Sequence, residues 1–573
     1  MDSGRFSSPF VSQLSQSPNR EKIAHLLLIA CFAALFYSNS FGNFLVWNDW
    51  TLIVENFLIK DWRNLPEIFA SAFWKPLLGE PPQIYRPLVL VSFMADFFLW
   101  GLKPWGYHLT NICLHVLNSF LAYFLMRFYV SPAIALMGSL LFAVHPVQTE
   151  TVAYISGRGE LMMSFLILSG TVLFLGSGRL NSKGLYLASL PLFFFALLAK
   201  ETAVIFPLWL LAAYHPVASS DRKTAGLNLL LRQIGPLAVL AAYFLLKRAF
   251  VGMTVSDYSL DLYRLLLLML QAIPLYLGLL VFPLNLHFLH PVVPHASLLD
   301  VHLLLGVSLL IGAGIGLCYA MSFRNQAVVL SLGWYLVGLL SLWHYASFDL
   351  PFLESWIYLP SFGFFLLLAL GLGRLCERVG SRVPAWIVLL IAVLLGGMTL
   401  NRNNDWRDNM QISLHTVAAY PDNPIALRLL GDAYFQRGRT EKAEEILQKA
   451  VLSGSKDPRL HESVGRLYRF LGRDSDALIA YQRMRELTPQ DPYVYWRLGR
   501  YYLRKKNYAQ AEKHLAQAVK LFPYSSELHN DLAQVYYLQG NLDAARRELE
   551  AALKILPRSK TLQKNLEQVL NKN

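Results

Sequence analysis

Between Ala24 and about Leu400 the chain is a succession of apolar runs, many of them long enough to cross a bilayer core, which takes about 20 residues of helix. After Leu400 the runs stop. No other feature limits the fold so strongly, because lipid cannot satisfy a backbone N–H or C=O, and a lone segment meets that demand only as a helix. An all-α, polytopic membrane domain therefore precedes a second region of mixed, charged sequence. Candidate spans lie near 23–41, 86–102, 108–127, 131–145, 161–177, 184–198, 202–214, 233–250, 264–282, 298–320, 327–343, 355–373 and 384–400. Several are short or broken by Pro or Gly, so 11 to 13 crossings are expected.

The composition excludes a wholly soluble protein: 55% of the 573 residues are hydrophobic and 16% charged. The net charge of +13 would suit nucleic acid in a soluble chain. In a membrane protein, Lys and Arg collect in cytoplasmic loops and beside anionic headgroups, so no nucleic-acid partner is expected. Residues 1–22, rich in Ser, Gln and Asn, read as a disordered cytoplasmic tail, and the run that follows as an uncleaved first span. With the N-terminus inside, residues 42–85 form an outer loop, in which Asp49, Glu55, Asp61, Glu67 and Glu80 stand against Lys60, Arg63 and Lys75. An odd number of crossings puts the C-terminal region on that same side, periplasmic or lumenal. Cys31, Cys113, Cys318 and Cys376 lie in or beside apolar runs and offer neither a disulfide framework nor zinc spacing.

The C-terminal region repeats. Tyr434, Tyr468, Tyr502 and Tyr536 recur every 34 residues, as do Ala443, Ala477, Ala511 and Ala545. Gly431, Gly465, Gly499 and Ala533 hold the same register, and Pro489, Pro523 and Pro557 close three units. A 34-residue period with small residues where two helices touch is the tetratricopeptide signature, so 423–573 is expected to hold four repeats and a solvating cap helix over 559–572, after a connector at 401–422.

Ionisable groups in or beside spans are costly and mark candidate sites. Asp49 follows the first span between Trp47 and Trp50. It reads either as a solvated loop acid or as a base whose pKa is raised by partial desolvation at the interface. Arg86, after Tyr85 and at the outer end of a span, offers the guanidinium fork that suits a phosphate, or else anchors to headgroups. His108, Asn111, His115 and Asn118 fall on one helical stripe, as a cavity wall or as interhelical hydrogen bonds. A polar stretch runs from His145 and Glu150 to Arg158 and Glu160. If it shares a face with Asp49, one of the three runs between 86 and 145 cannot cross fully; 131–145 is short, and 86–102 carries Asp96 mid-span. Lys200–Glu201 reads either as lining a cavity or, as is more common for adjacent opposite charges at a helix end, as a snorkelling interface pair, and Glu354 with Tyr358 as a weaker cluster.

As a set, these stretches resemble the transmembrane and tetratricopeptide-repeat O-mannosyltransferases and their bacterial relatives. The resemblance rests on Phe41 to Asp61, Tyr85-Arg86-Pro87-Leu88, Trp105 to Asn111, His145 to Glu150, Ala153 to Arg158, Tyr358 to Ser361 and Arg402 to Trp406, and it covers nearly the whole chain from about residue 25. It implies a GT-C fold in membranes of the bacterial inner membrane or endoplasmic reticulum, a polyprenyl-phosphate sugar as donor, and a Ser or Thr hydroxyl of a polypeptide as acceptor. Asn48–Asp49 stands where that family has an acidic pair, Ser355 where it has Arg, and Glu160 where it has Asp. On this reading Asp49 is the catalytic base of an inverting transfer and Arg86 and Arg158 hold the donor phosphate. Tyr85, His108, Asn111, His145, Glu150, Glu160, Glu354 and Tyr358 line the substrate cavity. No particular cofactor is indicated; a divalent metal is compatible with the chemistry, but no ligand cluster points to one. The rival readings are a non-catalytic membrane scaffold that recruits partners through its repeats, and a transferase acting on lipid or polysaccharide.

Overall fold

A computed structural model describes residues 19–56, 58–70, 84–213, 230–250, 262–290, 300–323, 325–342, 352–379, 383–523, 525–557 and 559–572. Most of the expected N-terminal tail and part of the first loop, with Lys75 and Glu80, lie outside the described residues. Regular structure in the described residues is helical, apart from a single backbone bridge between His290 and Phe352. The chain divides into two compact units, the first ending at Asp408 and the second running from Asn409 to the C-terminus.

The first unit contains α1 (Asn19–Tyr37), α2 (Pro87–Trp100), α3 (Pro104–Met126), α4 (Pro132–Val144), α5 (Thr149–Ala153), α6 (Arg158–Arg179) and α7 (Lys183–Ala199). It continues with α8 (Phe206–Ala213), α9 (Ile234–Phe250), α10 (Leu262–Val281), α11 (Val301–Ser322), α12 (Gln326–Leu339), α13 (Ser361–Val379) and α14 (Val383–Asn403). Pro in the first turn starts α2, α3 and α4, where its missing N–H loses no helical bond; Ser131 and Ser182 cap α4 and α7 with their side chains. The protein is a multi-pass membrane protein, for which the sequence leads to an expectation of 11 to 13 crossings. Among the described residues six helices are long and apolar enough to cross: Asn19–Gly42, Pro104–Met126, Ile155–Arg179, Leu230–Phe250, Val301–Ser322 and Trp386–Trp406. A seventh crossing arises only if α4 and the following Pro146–Ala153, bent by 51° at His145, count as one. Five other apolar helices among the described residues are shorter, and α4 by itself, at 13 residues, is about 20 Å long against a core of about 30 Å. Hydropathy marked these runs correctly as buried in apolar surroundings and could not measure how far each continues as one straight helix.

α3 lies at the centre of this unit, packed by α1, α2, α4 and α6. α12 and α13 approach closely enough that a Cβ on Gly363 would stand 2.3 Å from the Ser331 carbonyl oxygen, so glycine is required there. The C-terminal end of α1 is laced to the end of α14 by asparagines: Asn39 donates to Leu400 O, Asn43 to Asn403 O, and Asn403 to Phe36 O, all at 2.8–3.0 Å.

The second unit opens with α15 (Asn409–Ala419), whose Met410 packs on Leu430 and Ala433. Four helix pairs follow: α16 (Pro424–Gln436) with α17 (Thr440–Leu452), α18 (Pro458–Phe470) with α19 (Asp474–Leu487), α20 (Pro492–Arg504) with α21 (Tyr508–Leu521), and α22 (Ser526–Leu538) with α23 (Leu542–Ile555). α24 (Lys560–Leu570) covers the last pair through Leu562 and Val569. The 34-residue period extends to the caps, since Asn423, Asp457, Asp491, Ser525 and Ser559 each accept a backbone N–H at the start of a helix. Within a pair the recurring glycine is the contact point: a Cβ on Gly499 would lie 2.5 Å from Leu515 Cγ and 3.3 Å from its backbone nitrogen. Gly499→Val is therefore expected to destabilise the repeats by about 1–3 kcal/mol through overpacking, seen as an earlier thermal transition in circular dichroism of the whole chain; an unchanged transition would mean that the pair can splay apart without cost.

Candidate active site

Three polar knots form where sequence-distant segments meet in the first unit. The first is built on Asp49. Its carboxylate is fully buried. Oδ1 accepts the Ser156 N–H at 2.8 Å and the Ser156 hydroxyl at 2.5 Å, and Oδ2 accepts the Val46 N–H at 3.1 Å. Asp49 thus joins the first loop to the start of α6, and the polar stretch after α4 does share its face; the bend between α4 and α5 is how the chain reaches it. Burial pushes the Asp49 carboxyl up to about 7, and the bonds from Ser156 and Val46 and the charge of Arg158 only partly oppose this. The solvated loop acid is therefore excluded. Trp47 holds a left-handed backbone, φ +48°, a conformation costing on the order of 1–3 kcal/mol for a bulky residue. Trp50–Val54 then forms a single π-helical turn.

The second knot lies behind the first. Arg158 is fully buried; it pairs with Asp96 and donates to Asn111 Oδ1 and Tyr107 O, both at 2.8 Å. Asn111 in turn donates to the carbonyls of Val152, Tyr154 and Ile155, so α3 clamps the turn that presents Ser156. His108 is buried alongside. Arg158, expected to hold a donor phosphate, has its guanidinium engaged with protein groups. Two residues on, Glu160 pairs with Lys200, while Glu201 binds Arg86, with 2.8 Å from Nε to Oε2. Lys247 of α9 interacts electrostatically with Glu201 and Arg86. Lys200 and Glu201 are nearly buried and reach different partners, so they are not a snorkelling pair. Thus Ser156, Arg158 and Glu160, on one turn, string a line of polar groups from Asp49 to Arg86. Tyr85 stands just before it, its hydroxyl donating to Phe69 O at 2.7 Å.

The third knot pairs two carboxylates. Glu150 accepts the Glu354 N–H at 2.9 Å and the Ser355 hydroxyl at 2.7 Å. Glu354 receives His290 Nε2 at 3.1 Å and Arg402 at 3.3 Å, and Arg402 also holds Asp405 at 2.8 Å. Burial would raise Glu354, but Arg402 and then His290 hold it below its ordinary value. The remaining candidates bond to other segments of the protein. Tyr358 and His115 bond at 2.8 Å, with Asn118 donating to Tyr358 at 3.2 Å, and His145 caps the turn at Val147 while its other nitrogen meets Leu280 O at 3.1 Å. For His115 and Asn118 the stripe on α3 is thus interhelical bonding, and Asn111 joins it to the Asp49 knot. Among the described residues, no group of three or more His, Cys, Asp or Glu side chains is placed to hold a metal ion.

The sequence reading missed Lys247 and His290 as members of these knots, and named Ser156 and Arg402 within motifs without giving either a role. Asp96 had a signal, since an acid inside an apolar run needs a cation. His290 had none.

A family profile described as Tetratricopeptide repeat matches residues 414–467 and 502–569. The Mus musculus protein named Protein O-mannosyl-transferase TMTC3 is 24% identical over 517 residues, covering 81% of this chain and 55% of that protein. The Caenorhabditis elegans Protein O-mannosyl-transferase F38B6.6 is 26% identical over 444 residues, covering 75% and 62%. Mus musculus Protein O-mannosyl-transferase TMTC1 is 34% identical over a shorter stretch of 146 residues, covering 25% and 16%. The chain spans little more than half the length of the first two relatives. Over most of its length the chain is similar to proteins named protein O-mannosyl-transferases, and its C-terminal region matches the tetratricopeptide repeat.

Proposed function

We propose that the protein is a GT-C-type inverting glycosyltransferase that moves a mannose-like sugar from a polyprenyl-phosphate donor to a Ser or Thr hydroxyl of a polypeptide, on the periplasmic or lumenal face. One observation carries this reading: a serine hydroxyl already lies 2.5 Å from Asp49 Oδ1, the contact an acceptor hydroxyl needs to pass its proton to a general base. In the reaction the acceptor hydroxyl takes the place of Ser156. Its oxygen attacks the anomeric carbon from the face opposite the phosphate, its proton goes to Asp49, and the bond to the phosphate oxygen breaks. The leaving phosphate needs positive charge rather than an acid. Arg86, Lys200 and Lys247 set against Glu160 and Glu201 leave one cation in excess among these groups, which matches the single charge of a phosphodiester donor. Arg158 has a positioning role, holding Asn111 and so the Ser156 turn. The repeats offer a surface for the acceptor polypeptide, and Asp49 works without the second acid, since Asn48 stands beside it.

The test is transfer of radiolabelled mannose from a polyprenyl-phosphate donor to a Ser/Thr peptide by the whole chain in membranes. Because the base must be ionised, transfer is expected to rise with pH through a midpoint near 7, and a flat profile from pH 5.5 to 8.5 would rule out Asp49 as the titrating group. The same group opposes stability in the other direction. Between about pH 4 and 7 the native state keeps a proton the unfolded chain has lost, so stability falls by up to about 4 kcal/mol as pH rises across that window. A non-catalytic scaffold is the second reading, favoured by the complete engagement of Asp49 with Val46 and Ser156. Native protein that transfers from no such donor would decide for it, and label found on lipid or glycan instead of peptide would change the acceptor.

A further inference from the structure

Four aromatic side chains from four separate segments close a ring beside Asp49. Trp47 stacks on Tyr154, with 6.1 Å between ring centroids and 23° between planes, and Tyr154 stacks on Trp406 at 5.1 Å and 27°. Phe288 stands edge-on to Trp406 at 5.5 Å and to Trp47 at 4.4 Å. The loop after α1, the α5–α6 turn, the segment after α10 and the end of α14 each supply one ring, so only the fold makes the box. Its place relative to the carboxylate is set twice: Trp47 is two residues before Asp49, and Tyr154 two before Ser156, which Asp49 holds.

Two further observations point to a guest. The Trp406 Nε1–H is buried with no hydrogen-bond partner among the described residues, and a buried donor left unmade is unfavourable unless something completes it. Trp47 is the half-buried wall while Tyr154, Phe288 and Trp406 are buried, and its backbone sits at φ +48°, a conformation that is unfavourable for a bulky residue and is kept where the surroundings impose it. We propose that this aromatic box is a pyranose subsite, in which the sugar enters past Trp47, parts it from Tyr154 and is held with its C–H faces between those two rings, and offers a hydroxyl oxygen to Trp406 Nε1–H. Aromatic boxes also hold organic cations. Here the nearby charges are paired, Arg402 with Glu354 and Asp405 and Arg158 with Asp96, and the unmet Trp406 Nε1–H is a donor that a hydroxyl oxygen satisfies and an organic cation does not.

This inference rests on the glycosyl-transfer reading and gives the sugar its place within it. It is tested on the whole chain in nanodiscs by saturation-transfer NMR with methyl α-D-mannopyranoside, and by the donor KM in the transfer assay. Trp47→Ala and Tyr154→Ala are each expected to weaken sugar binding and raise donor KM by about tenfold, with Trp47→Phe recovering most of the loss because the stacking face is kept. Asp49→Asn should bind the methyl mannoside as the native protein does. Sugar binding and KM unchanged in both alanine variants, while transfer continues, would overturn the subsite and leave the transfer reading standing. Native protein that binds the sugar through these rings yet transfers nothing would do the reverse. Saturation of tetramethylammonium but not of the mannoside would also overturn it. Thermal transitions of Trp47→Phe and Trp47→Ala, compared with native protein, separate loss of the box from loss of the fold.

Discussion

Replacing Asp49 by Asn is expected to lower sugar transfer by about 10²–10⁴-fold, the usual contribution of a positioned general base. The variant is close to isosteric. Its amide oxygen can still accept from Ser156, and the lost bond is the one from the Val46 N–H. Folding should survive, since the change removes a buried charge whose ionisation the site resists; at pH 8 the thermal transition should stay level or rise. Asp49 is therefore one of the few positions where a large loss of activity is predicted without a loss of stability. Transfer within about threefold of native at matched expression would be too small a change for a general base and would remove Asp49 from the mechanism. A fall in both activity and thermal transition would instead assign it to holding the first loop onto the Ser156 turn.

Arg158→Leu is expected to cost about 3–5 kcal/mol, the penalty for leaving one member of a buried ion pair unpartnered. Asp96 is 3% exposed and would keep only the Thr110 hydroxyl, at 2.8 Å, of the bonds seen here. Asn111 would lose the donor that orients its oxygen, and with it some hold on the carbonyls before Ser156. Replacing both partners, Asp96→Leu with Arg158→Leu, should recover much of the stability, because well-packed apolar groups often match a buried pair. Transfer should stay impaired in the double variant if Arg158 positions the Ser156 turn. Denaturant unfolding in detergent micelles reads the first effect and the labelled-sugar assay the second. A single variant as stable as native would show that water reaches Asp96 and that the pair is not closed.

The repeats were legible almost completely from the chain alone. Each unit is one helix pair, and its determinants recur locally: a cap such as Asp457 or Asp491, a glycine or alanine at the crossing, and an aromatic beside it. The membrane region was legible as a class. Hydropathy places helices in lipid, but α2, α4 and α7 are apolar without being long enough to cross, and length read from composition counts them as spans. Lys200 and Glu201 show the same limit for charge. Adjacent in sequence, they suggested a single surface pair, whereas the backbone between α7 and α8 turns them toward Glu160 and Arg86 respectively.

By itself, the sequence determined that this is a helical membrane protein with a tetratricopeptide region, and that Asp49, Arg86 and the segment around Glu150 and Arg158 are unusual enough to matter. Those conclusions rest on helical period, apolar length and the cost of charge in lipid, all of which act over short stretches of chain. Only the tertiary structure decided that Asp49 faces Ser156 across 107 residues, that Arg158 belongs to Asp96, and that Trp47, Tyr154, Phe288 and Trp406 share one box. Which helix ends come together at one depth is set by packing of the whole bundle, and no local pattern encodes it.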